Sequence, residues 1–292
     1  MMAAGAGTNV RARMTKMRQG HVASGATVMR GRVPATALAI ALGALLPAQA
    51  QSPTQDSEIT ARRATETRSF TDTQIIDGFL KVTFGAEFHT SGRTDRIRKF
   101  DGPIRAYVDN RAQPDRTGQV GEVVADIRKR VAKLDIAMTT DQRAANLMIT
   151  LVRDRDLDRT IANLFGREHA RKIENALEPQ CLAGFRKDES YRITRAEVIL
   201  VVDASDFVFY DCAYEEILQA LGPINDDQSV PWTMFNDDVQ MGFFDVYDQY
   251  LLNLLYHDRM RPGMTQDEAR AVLADIMTEV RGFVARTNGL KE

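Results

Sequence analysis

The chain has 292 residues, 27% of them charged and 44% hydrophobic, with a formal net charge of −2. This composition can bury a sizeable core and excludes a mainly disordered or fibrous protein. The first 50 residues carry six Lys/Arg and no Asp/Glu, leaving 32 basic against 40 acidic residues, net −8, which argues against nucleic acid or an anionic membrane as partner.

Residues 1–28 lack apolar periodicity and carry Arg11, Arg13, Lys16 and Arg18, so either the basic region is long or Met29 is the true start. Arg30 and Arg32 then lead into the apolar run Val33–Leu46 and a small-x-small ending, Ala48-Gln49-Ala50, the pattern of a secretory signal peptide. The run is only 14 residues, short of the roughly 20 that a membrane-spanning helix needs. We therefore expect residues 1–50 to be a signal segment with extra N-terminal residues, and the mature protein to be periplasmic or secreted with no span after cleavage. The residue directly after Ala50 is Gln51, not a cysteine that could take a lipid at the cleavage site. Residues 51–69, rich in Ser, Thr and charge, read as a flexible leader, and 70–292 as one domain.

Within the domain, "FTDTQIIDGFLKVTFG" suggests a helix stopped at Gly85, and Pro103–Asn110 alternates like a strand. Val120, Val123, Val124, Ile127, Val131 and Leu134 form one helical face. The β-branched runs Ala145–Val152 and Ala196–Asp203 read as strands buried on both faces. After Asp203 the periodic segments are all helical: "CAYEEILQALG", a segment near Phe243–Tyr256, and a last helix with a Thr265/Glu268 capping box that ends near Gly289. The fold class is thus α+β, a helix-covered mixed β-sheet lobe followed by a helical C-terminal lobe. Cys181 and Cys212, an even pair in an exported chain, point to a disulfide, with buried free thiols as the alternative.

The helix "CAYEEILQALG" is apolar around most of its circumference and carries one narrow polar strip of Glu215, Glu216 and Gln219. That predicts a mostly buried helix whose strip faces a cleft or internal partners. The spacing EExxQxxGxxN, through Gly222 to Asn225, resembles the zincin pattern HExxHxxGxxH with all three histidines replaced. Met234 and the segment Asp248–Tyr256 are similar to the Met-turn and closing segment of metzincins, so the resemblance implies a zincin-like fold with Glu216 at the general-base position. Together with "RIRKFDGPIRAYVD", "MFND" and "LLYHDRMRPGMT", the helix also resembles a domain-of-unknown-function family, number 2927, of exported proteobacterial proteins. That likeness covers most of the mature chain and brings no activity with it.

One carboxylate and two neutral amides imitate a tetrahedral nitrogen-ligated zinc site poorly. An all-oxygen set suits calcium or magnesium instead and needs more carboxylates, which Asp226, Asp227, Asp237 and Asp238 could supply. We therefore expect no zinc and no cofactor, with Ca or Mg as the alternative. His21, His89, His169 and His257 are isolated along the chain and offer no replacement triad. In "RDRDLDRT" the EF-hand-like start fails at Arg159 and Phe165, leaving an ion-paired surface segment. Adjacent Glu215 and Glu216 point about 100 degrees apart and converge poorly on one substrate atom. The plainest alternative has Glu215 and Gln219 bonded to adjacent backbone, with Asn225 and Asp226 capping the turn after Gly222.

The leading expectation is an exported zincin-like domain without the zinc site, acting as a binding or envelope-associated module through Glu215, Gln219, Asn225 and Asp226. Its partner would be an envelope protein or peptide. The alternative is a divergent hydrolase with Glu216 as catalytic base, served by a non-zinc metal or none.

Overall fold

The computed structural model describes residues 8–14, 57–85, 95–167 and 179–291. Its sheet has the strand order β1-β5-β6-β4-β2-β3: β1 (Thr8–Met14), β2 (Ile104–Asn110), β3 (Ile136–Met138), β4 (Leu147–Val152), β5 (Pro179–Lys187) and β6 (Ile193–Val201). β3, β2, β4 and β6 run parallel, and β5 and β1 close the other side antiparallel. β4 is buried at every position, Leu147 through Val152, as its unbroken apolar run requires of a strand covered on both faces.

Seven α-helices surround the sheet among the described residues: α1 (Ser57–Thr65), α2 (Asp72–Thr83), α3 (Thr117–Arg130), α4 (Leu157–Phe165), α5 (Asp206–Ala220), α6 (Val246–Tyr256) and α7 (Gln266–Asn288). α3 presents Val120, Val123, Val124 and Ile127 to the main core. On the other face, α4 sets Leu157 and Ile161 against Leu182, Ile199 and Val201. After β6 every element is helical, as the sequence suggests, and α7 has the Thr265/Glu268 capping box and ends at Gly289 in the left-handed region, φ +62°.

Several elements lacked a periodic signal. β3 is only three residues long, and β5 was not recognised as a strand. α4 grows out of the stretch read as an ion-paired surface segment, and the Asp156 pairing with Arg159 is present at its start. Residues 57–69, read as part of a flexible leader, instead carry α1 and its extension. Ile59 is buried, Arg62 and Arg63 lie over the rings of Phe207 and Phe243, and the Val246 N–H donates to Glu66 at 2.6 Å. The anchoring comes from cation–π and helix-cap contacts to distant residues, which local periodicity does not reveal. β1 lies within the segment expected to be dispensable, and the expected signal run, 30–50, lies outside the described residues.

α5 leaves β6 through a four-residue link, Val202 to Ser205, that the chain holds tightly. Ser205 caps it, and buried Arg116 donates to the carbonyls of Val202 and Ala204 and pairs with Asp206. A disulfide joins Cys212 on α5 to Cys181 on β5, with Cα atoms 5.9 Å apart. Closing a loop of 31 residues contributes on the order of 3–4 kcal/mol through the unfolded state.

Candidate functional site

α5 is buried around nearly its whole circumference, and its polar strip is buried with it: Glu215 is 1% exposed, and Glu216 and Gln219 are 0%. A helix can bury so much only if the chain beyond it wraps back, and residues 221–245 do so. Gly222, at φ +142°, turns the chain away from the helix with its N–H on Gln219 O, 2.9 Å. A Cβ at this position would stand 2.3 Å from the Arg98 carbonyl, so glycine alone fits. Arg98 is itself fully buried, and desolvation pulls its pKa down to about 10. It donates to the carbonyls of Thr83 and Gly85 at the end of α2.

Asn225 spends its amide on the same helix end: Nδ2 donates to Lys81 O at 2.9 Å and its backbone N–H to Val82 O at 3.2 Å. The next residues fold across the loop, with the Asp227 N–H on Phe235 O at 3.0 Å. Asp248 on α6 takes the Met234 N–H at 2.8 Å and the Thr233 hydroxyl, and Asn236 donates to Val230 O at 3.0 Å. Asp211, one turn before Glu215 on α5, holds the far end of the loop by accepting from the N–H groups of Met241 and Gly242, at 2.7 and 3.0 Å.

These bonds bring Glu215, Asp226 and Asp237 together: one carboxylate oxygen from each lies within 4.8 Å of the others. Glu215 is buried and the two aspartates are half-buried. Gln219, one turn beyond Glu215 on the same stripe, has no hydrogen-bond partner for either side-chain polar atom. The field of Glu215 reaches α6, where it adds to desolvation in raising Asp248 to about 6 against the bonds that favour its ionised form.

The structure thus unites two of the expected site residues, Glu215 and Asp226, with Asp237, and leaves Gln219 buried one helical turn beyond Glu215. Asn225 serves the end of α2 rather than this cluster, and Glu216 faces elsewhere from the next position along the helix. Asp227 bonds to Ser229 and Asp238 is outside the triad. Met234 is buried with its N–H on Asp248, and His257 lies at the end of α6, where it accepts from the Arg259 N–H and pairs with Glu279. Asp211, Asp245 and Asp248 escaped sequence reasoning. Of these only Asp245 left a trace, an acidic N-cap before the apolar run of α6, where it accepts from the N–H groups of Tyr247 and Asp248. Two open cavities, of about 620 and 640 Å³, lie elsewhere, around Lys99 and Arg261 and around Tyr250 and Arg281.

Residues 72–275 match the model of a family described as a protein of unknown function, DUF2927. The match spans well over half of the chain. The protein belongs to this family. No curated protein matches the chain, and no solved structure does.

Proposed function

We propose that this DUF2927 member is an exported, zincin-like module that has exchanged the imidazoles of a peptidase zinc site for oxygen donors, and that it works by binding rather than by zinc hydrolysis. The observation that carries this reading is the environment of α5. The helix runs directly out of a central strand, and the positions corresponding to zinc ligands hold Glu215, Gln219 and Asn225, two of them fully buried and the third bonded to α2. Carboxylate and amide oxygens are hard donors and do not reproduce the borderline-soft nitrogen set that activates zinc-bound water. The partner on this reading is an envelope protein or peptide that is held and not cut. A divergent hydrolase would need Glu216 open to substrate, and Glu216 is 0% exposed.

Elemental analysis of protein purified without chelator tests the proposal. The expected result is substoichiometric zinc that is unchanged in Glu216→Ala. One equivalent of zinc in the wild-type protein, whether or not that substitution removes it, would overturn it.

A further inference from the structure

We infer that Glu215, Asp226 and Asp237, with the Gln219 side-chain oxygen, form a site for a hard divalent cation, calcium. The inference rests on the reading of α5 as an oxygen-bearing derivative of a zinc helix and gives that site a ligand. Two independent observations support it.

The first is convergence. One oxygen from each of the three carboxylates lies within 4.8 Å of the others, although the residues come from the helix and from two separate points of the following loop. Calcium–oxygen bonds of about 2.3–2.6 Å place opposite ligands roughly 4.6–5.2 Å apart, so an ion of this size can touch all three. Magnesium, at about 2.0–2.1 Å, draws opposite ligands to roughly 4.0–4.2 Å and demands near-ideal octahedral geometry, which donors from a wrapped loop supply less readily. Three carboxylates carry one charge more than the ion neutralises, and each can bind through one oxygen or two.

The second is Gln219. Its amide is wholly buried, one helical turn from Glu215, and neither Oε1 nor Nε2 has a hydrogen-bond partner. Leaving an amide so buried costs about 1–3 kcal/mol unless something answers it. A cation bound by Glu215 would take Oε1 as a further ligand, and the set would then be four protein side chains, all oxygen. The loop bonds described above, Asp227 to Phe235 and Met234 to Asp248, become the scaffold that holds Asp226 and Asp237 at ligand distance.

The test is thermal unfolding of the full chain after exhaustive chelation, with calcium, magnesium or zinc chloride added back, paired with calorimetric titration. Calcium at about 100 times its Kd should raise Tm by roughly 5–10 °C. Asp237→Asn should weaken calcium binding at least about tenfold while the chelated protein melts close to wild type, and Gln219→Leu should weaken it by a smaller factor. Absence of any calcium-dependent shift in wild-type protein would overturn the site, as would a shift with magnesium alone. So would an Asp237→Asn variant whose Tm falls equally with and without calcium, because that assigns the carboxylate to fold support. Stoichiometric zinc displacing calcium would instead defeat the binding-module reading, so the two failures are distinguishable.

Discussion

Asp245 shows how one side chain can serve a helix and strain its neighbourhood. Its Oδ1 caps α6, while Oδ2 is buried and the carboxylates of Glu66 and Asp248 stand close by. Desolvation first, and the Asp248 charge second, push its pKa well above the usual carboxylate range. Asp248 holds its proton in the native state up to a pH of about 6, against 3.8 in the ordinary case. The native state therefore binds more protons than the unfolded chain across that window, and the pair's contribution to stability falls as pH rises through it. Asp245→Asn keeps a capping oxygen and removes a charge. In chelator at pH 8 it should stabilise the protein by about 1–2 kcal/mol, with the gain shrinking towards pH 5. Urea unfolding at both values checks this, and a loss at pH 8 or a gain indifferent to pH would refute the account.

Among the elements, the joint between α5 and the turn beyond it bears the most constraint. Gly222 occupies a φ that L side chains rarely adopt, and its missing Cβ makes room for the Arg98 carbonyl. The Tyr256 hydroxyl donates to Leu221 O on the same joint at 2.8 Å. Gly222→Ala should therefore cost about 2–4 kcal/mol, since backbone strain and a clash with main chain add. Denaturant midpoints for the two proteins measure it, and a variant within about 0.5 kcal/mol of wild type would show that the turn yields easily. The glycine shared with the zincin pattern thus has a packing reason of its own here.

Over the whole molecule, the sheet edge raises the matter of processing. β1 pairs antiparallel with β5 from Thr8 to Met14, ahead of the expected cleavage after Ala50. Export with cleavage there would remove β1 and leave β5 as the edge strand, whose unpaired backbone groups then face solvent or a partner. N-terminal sequencing of protein recovered from the periplasm of an expressing cell should find Gln51 first. Retention of Thr8–Met14 in the exported form would contradict the signal-peptide expectation. The disulfide, which joins β5 to α5, would survive either outcome.

The amino-acid sequence by itself determined the elements whose periodicity is long: α2, α3, α7, the buried strands β4 and β6, and above all the narrow polar strip of α5. Apolar spacing reports burial directly, because a face must be hydrophobic along its length to pack. It also brought Glu215, Gln219, Asn225 and Asp226 forward as a set. Tertiary structure alone decided that Asp237 joins Glu215 and Asp226 while Asn225 turns to α2, and that residues 57–69 belong to the fold. Those outcomes depend on hydrogen bonds between residues far apart in the chain, such as Asp248 to Met234 or Glu66 to Val246. No local pattern encodes such bonds, since their partners meet only after the core has brought the helices together.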